Sequence, residues 1–393
     1  MSFDPQSLTA NWSFPTQIRF GVGRIAELPR ALSSLNIARP LFVTDPGLAD
    51  LPMVRDAIAS CEDAGLPTIL FAKIKPNPTG TNLEEGLAAY RDGKCDGVIA
   101  FGGGSGIDAA KAIAFMAGQT KSVWEFEDRG SNWKAADPDG IAPIVAIPTT
   151  AGTGTEVGRA SVLVDESDHT KKIIFHPKML PSIVISDPEL TVGLPPKLTA
   201  ATGMDALAHC LEAYCSPFFH PLAEGVSVEG MRLVKDFLPR ATADGQDMEA
   251  RCNMLIAASM GATAFQKGLG GIHALSHPVG ALYDTHHGLT NAVFMPYVLA
   301  FNRAAIEEKL VRLSAWLGLE RGDFGGFMDW VLALREQLGI PHKLSDIGVD
   351  DKQFDLIAAM AVVDPSAGGN PVPLDEAGCR EMLEAAFEGR VDI

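Results

Sequence analysis

Five short, strongly apolar segments in the first half of the chain constrain the fold more than any other feature. Each is rich in β-branched, leucine or phenylalanine residues, and helical stretches separate them. Segments this apolar suit strands that are covered on both faces, and their alternation with helices predicts a parallel sheet. The segments are residues 40–44, 68–72, 97–101, 144–148 and 182–186.

The composition changes at Pro195-Pro196. Beyond this point the β-branched runs give way to Ala-, Leu- and Met-rich segments with helical spacing. We therefore predict two domains, because the chain is longer than one average domain. Residues 1–194 form an α/β domain with a parallel sheet, and residues 195–393 form an all-α domain.

Charge and apolar content limit the partners that the protein can have. The chain has 393 residues, of which 32 are basic and 49 acidic, and its formal net charge is -17. This charge repels phosphate backbones, so we expect small-molecule partners and no nucleic acid. No apolar run approaches the ~18 residues that cross a bilayer, and no export signal is visible. We expect a cytoplasmic protein with no membrane partner, whose scattered cysteines stay reduced.

Two loops of small residues follow predicted strands. Residues 102–106 are glycine-rich and precede a helix that is expected to begin near Asp108. Strand, glycine loop and helix in this order suit a phosphate, because glycine lets backbone N–H groups approach it and the helix dipole favours its charge. By itself the loop fits a tight turn nearly as well. Residues 148–155 add several hydroxyl groups at another strand end, and together the two loops predict a nucleotide site.

Asp45 directly follows the first of the apolar segments. At that place a carboxylate accepts hydrogen bonds from a ribose 2′-hydroxyl and repels a 2′-phosphate, so Asp45 favours NAD over NADP. The competing interpretation is a helix or turn cap, which would need no nucleotide.

An acidic residue and several histidines in the second half have the spacing of metal ligands. Asp205 and His209 stand four apart in a proline-free apolar stretch, so on a helix they project from one face. His273 and His277 repeat that spacing. A single histidine more often packs or caps than binds a metal, but the repeated pairs favour a metal site.

His287 follows the second pair after Pro278 and Gly280. We expect these two residues to interrupt the helix and turn the chain, so that His287 joins the other candidate ligands. One carboxylate and three imidazoles would then converge.

With these motifs in place, the chain resembles the iron-containing (group III) alcohol dehydrogenases, which are related in fold to dehydroquinate synthase. The similarity runs in order through FGVGRI, KPNPT, GGGSGIDAAK, PTTAGTGTE, GMDALAHCLEAY and HPVGALYDTHHG. It implies an NAD-binding α/β domain, a helical domain that carries the metal, an active site in the cleft between them, and a homodimer or larger homo-oligomer.

The resemblance also implies site residues, position by position. Metal ligands would be Asp205, His209, His273 and His287, and His277 would help to move the proton. Nucleotide contacts would come from Asp45, Asn77, Gly103, Gly104, Ser105, Asp108, Thr149, Thr150, Thr153, Val162 and Lys171. Gly106 and Thr155 depart from the Pro and Ser that are usual in the family, and neither change removes a functional group.

The implied reaction explains why these residue types are needed. Oxidising an alcohol removes its hydroxyl proton and sends a hydride to the nicotinamide, and a divalent cation stabilises the alkoxide that forms. Nitrogen and oxygen ligands suit Fe(II), and Zn(II) is also possible. Iron is favoured because it readily accepts ligands beyond four, whereas four protein ligands usually saturate zinc.

Lys267 is the candidate for recognising the substrate. Its position shortly before His273 would let a cation favour substrates with a carboxylate, such as an ω-hydroxy acid or its semialdehyde. The competing interpretation is a helical lysine that faces solvent.

We predict an NAD-dependent, Fe(II)-activated alcohol dehydrogenase or aldehyde reductase for small primary alcohols. A metal- and NAD-dependent lyase or cyclase of the dehydroquinate synthase type is the alternative, although few Lys and Arg lie near the histidines to bind a phosphorylated substrate. A noncatalytic nucleotide sensor is the third possibility, and the complete set of metal ligands argues against it.

Overall fold

The computed structural model describes residues 16–168 and 170–391. The chain divides into two compact units between Leu194 and Pro195. The first unit contains a parallel sheet with helices, and the second is helical. Among the described residues, no helix is both long and apolar enough to cross a membrane.

The first unit alternates strands and helices. Its strands are β1 (Gln17–Phe20), β2 (Pro40–Val43), β3 (Ile69–Phe71), β4 (Gly97–Gly102), β5 (Ile144–Pro148), β6 (Ala160–Asp165), β7 (Thr170–Phe175) and β8 (Ile183–Ser186). Its helices are α1 (Leu28–Ser34), α2 (Pro46–Ala49), α3 (Pro52–Asp63), α4 (Gly80–Asp92) and α5 (Gly104–Met116).

One parallel sheet organises this unit, with its described strands in the order β1-β8-β5-β4-β2-β3. The five apolar segments of the sequence are β2, β3, β4, β5 and β8, which confirms the predicted α/β class. Every residue of β2, β4, β5 and β8 is buried. Helices cover both faces in such sheets, which explains why these strands are apolar throughout.

The sequence patterns missed β1 and the antiparallel hairpin β6–β7. β1 lies at an edge of the sheet and has no buried residue, so it lacks the apolar signal of the inner strands. In β6 buried and half-buried residues alternate, and β7 is mostly half-buried. Strands with one exposed face carry fewer apolar residues.

The second unit is built from helices, as predicted. They are α6 (Pro196–Cys215), α7 (Pro221–Ala243), α8 (Met248–Ala264), α9 (Gly271–Tyr283), α10 (His287–Trp316), α11 (Phe324–Gln337), α12 (Phe354–Val362) and α13 (Glu376–Glu388). Helix α6 is largely buried and packs against α7, α8 and α10. At Gly261 of α8 a Cβ atom would lie 3.1 Å from the carbonyl oxygen of Ala206, so a small residue is needed where α8 crosses α6.

Candidate metal centre and nucleotide site

Helix α6 presents the first two candidate metal ligands. Asp205 and His209 are one turn apart and are 2% and 3% exposed. The ring of Phe265 packs edge-on against His209, with centroids 5.1 Å apart. A buried carboxylate is costly unless it is paired or binds a cation, so this face of α6 is built to meet other polar groups.

Helices α9 and α10 bring the remaining histidines. His273 lies in the first turn of α9, and His287 is the first residue of α10. The expected break at Pro278 and Gly280 is wrong, because both lie inside α9. The chain turns instead at Asp284, whose φ of 52° is left-handed.

Gly288 lets the start of α10 approach α6. A Cβ atom at this position would lie 2.4 Å from the carbonyl oxygen of Ala201 and 3.0 Å from Cβ of Asp205. Any larger residue would push the two helices apart, so Gly288 sets the distance between His287 and Asp205.

One oxygen of Asp205 lies at the centre of the site. Its Oδ1 is 3.7 or 3.8 Å from three imidazole Nε2 atoms, which belong to His209, His273 and His287. Two ligand atoms that are each about 2.0–2.2 Å from one ion cannot be more than about 4.4 Å apart. The three separations from Asp205 satisfy that limit, so each imidazole lies close enough to share a divalent cation with Asp205.

The four residues do not converge equally. Asp205, His273 and His287 form a group whose ligand atoms all lie within 4.8 Å of one another. His209 adjoins this group, and its ring stacks on that of His273 with centroids 4.7 Å apart. His287 is the most open of the four, with 26% of its side chain exposed.

Glu212 orients His273 from behind, a role that the sequence prediction missed. Its Oε2 lies 2.6 Å from Nδ1 of His273, and its Oε1 accepts the backbone N–H of Ile272 at 2.6 Å. Burial opposes protonation of His273, but the nearby carboxylates, Glu212 foremost, outweigh it and raise its pKa. A carboxylate that holds one ring nitrogen orients the other for a metal. Glu212 stands seven residues after Asp205 on one helical face, and this spacing could have revealed it.

Asn291 is a second residue that the prediction missed. It is fully buried, and its Nδ2 lies 2.8 Å from Oδ1 of Asp205. The same nitrogen lies 3.1 Å from Nε2 of His273 and 3.2 Å from Nε2 of His287. Because Asn291 follows His287 by one helical turn, the spacing carried a signal for it.

His277 lies next to the cluster but bonds to a different carboxylate. Its ring is stacked on that of His287, with centroids 5.4 Å apart and planes at 15°. Its Nδ1 is 2.8 Å from Oδ2 of Asp364. Burial raises the pKa of Asp364, but the contact with His277 and the hydrogen bonds from Ser366 prevail and lower it. Asp364 is 87 residues away in the sequence, so no spacing could reveal it.

Lys267 is held inside the second unit. Its ammonium group lies 2.7 Å from Oε1 of Glu224 and 3.1 Å from the carbonyl oxygen of Tyr214, and the residue is 2% exposed. Burial lowers its pKa despite the contact with Glu224. This placement contradicts the solvent-facing interpretation and gives no support to recognition of a substrate carboxylate by Lys267.

The glycine loop of the first unit joins β4 to α5. Helix α5 begins at Gly104, earlier than the start near Asp108 that the sequence predicted. Gly102 has a φ of 148°, a conformation that favours glycine. Gly103 and Gly104 thus stand at the amino-terminal end of a 13-residue helix, where backbone N–H groups suit an anion.

The two small-residue loops are in contact. The N–H of Thr149 donates to the carbonyl of Gly102 at 2.9 Å. A Cβ atom on Gly104 would lie 2.5 Å from Oγ1 of Thr153, and one on Gly103 would lie 3.2 Å from Cγ2 of Thr150. The structure therefore brings five predicted nucleotide residues together, namely Gly103, Gly104, Thr149, Thr150 and Thr153.

Asp45 caps helix α2 and also faces the glycine loop. Its Oδ1 accepts the N–H groups of Gly47 and Leu48 at 2.9 and 3.2 Å, as the capping interpretation requires. Its Oδ2 would lie 3.7 Å from a Cβ atom on Gly102. One oxygen therefore caps the helix while the other points toward the loop.

Residues 76–78, which include the predicted nucleotide residue Asn77, contact both Ser105 and the hairpin β6–β7 that carries Val162 and Lys171. The hydroxyl of Ser105 donates to the carbonyl of Pro76, next to Asn77. The N–H of Val164 donates to the carbonyl of Pro78 at 2.8 Å, and Val164 pairs with Lys171 across the hairpin.

Asp108 is used inside the protein. Its Oδ2 accepts the N–H of Val162 at 3.1 Å, and its Oδ1 lies 3.4 Å from Nζ of the fully buried Lys111 and also accepts a hydrogen bond from the hydroxyl of Thr155. With 7% of its surface exposed, Asp108 connects α5 to β6. This position gives no support to a direct nucleotide contact.

Comparison with known proteins identifies the same two regions. The family model "Iron-containing alcohol dehydrogenase" matches residues 15–188, and "Fe-containing alcohol dehydrogenase family, C-terminal" matches residues 199–387. A 4-hydroxybutyrate dehydrogenase of Cupriavidus necator is 40% identical over 384 residues, which are 95% of this chain and 98% of the relative.

Solved structures are similar over nearly the whole chain. A 1,3-propanediol oxidoreductase has a TM-score of 0.91 at 33% identity, over 96% of this chain and 99% of the other. A sulfoacetaldehyde reductase from Bifidobacterium kashiwanohense in complex with NAD+ has a TM-score of 0.87 at 28% identity, over 96% of this chain and 98% of the other.

Proposed function

The chain belongs to the iron-containing alcohol dehydrogenase family, and on that premise we propose that it interconverts small primary alcohols and aldehydes with NAD and Fe(II). The observation that carries this proposal is the arrangement of three imidazole Nε2 atoms around one buried carboxylate oxygen. A divalent cation held there would supply the positive charge that stabilises the alkoxide as an alcohol loses its proton.

The proposed ligands are Asp205, His209, His273 and His287. Their donor set, one oxygen and three nitrogens, suits Fe(II), Zn(II) or a similar ion, so the ligands alone do not select the metal. The family supports iron. Elemental analysis of protein that is purified without oxygen tests which metal is bound, and we expect iron. In protein reloaded with different metals, the activity per bound ion should be highest for iron.

His277 is the proposed proton acceptor. Its ring is adjacent to that of His287, and 12% of its side chain is exposed. A neutral imidazole next to the reacting hydroxyl would take up the proton of the alcohol during oxidation and return it during reduction.

The proposed nucleotide site lies on the two contacting loops of the first unit. Backbone N–H groups of Gly103 and Gly104 would bind the pyrophosphate, and Oδ2 of Asp45 would accept a ribose hydroxyl. The NAD+ complex of the sulfoacetaldehyde reductase supports this cofactor. A 2′-phosphate would be repelled by Asp45, so we propose a preference for NAD over NADP.

An acid-bearing substrate is the finer part of the proposal. The relatives named for 4-hydroxybutyrate and sulfoacetaldehyde act on molecules that carry a carboxylate or a sulfonate away from the reacting carbon. This support is independent of Lys267, whose ammonium group is paired with Glu224.

The test compares two four-carbon primary alcohols, 4-hydroxybutyrate and 1,4-butanediol, with anaerobic Fe(II)-loaded protein and NAD. We expect NADH formation that a chelator abolishes, and a higher kcat/KM for the acid. Equal values for the two alcohols would remove the acid-bearing class and leave the dehydrogenase. Failure of every alcohol, despite bound metal and NAD, would overturn the proposed function.

We also propose a homodimer or larger homo-oligomer, which sedimentation equilibrium checks.

A further inference from the structure

We infer that Asp364 is a positioning residue that fixes the ring orientation and the tautomer of His277. The inference rests on the proposed function, in which His277 accepts the proton. Asp364 belongs to the segment of residues 364–370, which follows α12. The sequence analysis assigned no role to this segment.

The contact itself determines where the imidazole proton resides. Oδ2 of Asp364 lies 2.8 Å from Nδ1 of His277, and the two side chains are only 11% and 12% exposed. A carboxylate only accepts hydrogen bonds, so Nδ1 must carry a hydrogen and Nε2 of the neutral ring keeps its lone pair. Nε2 is then the nitrogen that can take a proton from a substrate.

Asp364 is itself held rigidly. Its Oδ1 accepts the N–H of Ser366 at 2.8 Å, and its backbone carbonyl accepts the N–H of Ala367 at 3.0 Å. One oxygen is therefore fixed by the turn that Asp364 begins, and the other is directed at His277. A carboxylate fixed at both oxygens restricts rotation of the imidazole ring that it contacts.

The same segment also fixes the start of helix α9. Oδ1 of Asn370 accepts the N–H of Gly271 at 3.0 Å, and its amide exchanges two hydrogen bonds of 2.8 Å with Asn302 of α10. Residues 364–370 thus hold α9 at two points: Asn370 binds its first residue, Gly271, and Asp364 binds His277 in the middle of the helix. The helix that carries His273 and His277 is positioned by a segment about 90 residues away in the sequence.

The variant Asp364→Asn distinguishes a positioning role of the carboxylate from a role in packing alone. The asparagine keeps the size of the side chain, but its Nδ2 can donate to Nδ1 of His277 and so move the ring hydrogen to Nε2. We expect kcat to fall about 100-fold or more, which is the contribution of a well-placed general base. Metal content, the Kd of NADH and Tm should change little.

A direct measurement of the tautomer does not depend on activity. We would load the full-length protein with Zn(II), label its histidines with nitrogen-15, and record the two ring nitrogens of His277, assigned by their absence in His277→Gln. In the wild type we expect Nδ1 to be protonated and Nε2 unprotonated. In Asp364→Asn the pattern should reverse.

Two further variants serve as controls. Asp364→Glu keeps the acceptor at a different reach and should retain the wild-type tautomer with a partial loss of kcat. Asp375→Asn makes the same chemical change at the residue that caps α13 through Gly378, and it should leave kcat and the His277 signals unchanged.

The outcomes distinguish this inference from the proposed function. A wild-type His277 with an unprotonated Nδ1 would overturn the role of Asp364, even if Asp364→Asn failed to fold. An unchanged kcat in folded Asp364→Asn would do the same. If the wild type oxidised no alcohol but showed the expected tautomer, the proposed reaction would be wrong and the positioning contact would stand.

Discussion

The two candidate sites of this protein are built from different parts of the chain. In the helical unit, side chains of α6, α9 and α10 surround Asp205, and further side chains orient them. In the α/β unit, the candidate nucleotide site consists largely of glycines and backbone N–H groups in the loops after β4 and β5. A metal is bound by the donor atoms of side chains, whereas a phosphate is bound well by backbone dipoles. The first site should therefore be sensitive to single side chains, and the second to the shape of its loops.

The substitution with the largest expected effect is Gly288→Ala. Its Cβ would lie 2.4 Å from the carbonyl oxygen of Ala201, so α10 must move away from α6 and take His287 with it. We expect metal content and alcohol oxidation to fall to background, while NADH still binds to the other unit. Elemental analysis and a fluorescence titration with NADH measure the two effects.

The matched control is Gly225→Ala in helix α7, where an added Cβ would meet no atom of the described residues within 4 Å. Because alanine suits a helix better than glycine, this variant should keep its metal and gain slightly in stability. Full metal content in Gly288→Ala would contradict the proposed geometry of His287.

Glu212→Gln should weaken the metal site without removing a ligand. The amide can no longer act as a charged acceptor for Nδ1 of His273, and changes to such supporting residues typically cost about 10–100-fold in metal affinity. Competition with a chromophoric chelator measures the affinity. Glu229, whose half-exposed side chain pairs with Arg232, provides the control Glu229→Gln. Equal metal affinities in the two variants would show that Glu212 has no part in the site.

Asp45→Asn probes the nucleotide site by changing charge alone. Asparagine is as good a helix cap as aspartate, so α2 should persist while the repulsion of a 2′-phosphate disappears. We expect the ratio of NADPH to NADH affinity to rise about tenfold, which is about 1.4 kcal/mol. An unchanged ratio, equal to that of the surface variant Asp50→Asn, would leave Asp45 as a cap only.

Lys267→Met has the smallest expected effect on catalysis. The change removes the ammonium group that pairs with Glu224, so Tm should fall by a few degrees while kcat/KM for 4-hydroxybutyrate stays within about twofold. Thermal unfolding and steady-state kinetics test the two parts. A selective loss of activity toward the acid, with 1,4-butanediol unaffected, would restore Lys267 as a substrate residue.

The same contrast explains what could be predicted from the sequence. Buried strands are apolar on both faces, so β2, β4 and β5 were evident, whereas the edge strand β1 and the hairpin β6–β7 were not. Asp205 and His209 were visible because helical neighbours recur every three or four residues. The same spacing places Glu212 on the helical face of Asp205, although the sequence prediction missed this residue.

Residues that meet only through tertiary structure could not be predicted. Asp364 reaches His277 across 87 residues, and no local pattern encodes such a contact. Local chemistry also misled the prediction at Pro278, which lies inside α9. There the packing around the residue, and not its own backbone preference, decided where the helix ends.

The most direct test of the two-site account measures cofactor binding and catalysis on the same preparation before and after removal of the metal. We would strip the protein with a chelator, reload it with Fe(II) without oxygen, and follow both the Kd of NADH and NADH formation from 4-hydroxybutyrate. The account predicts that stripping abolishes turnover, leaves NADH binding intact, and is reversed by one Fe(II) per chain. Turnover that persists without metal would contradict it.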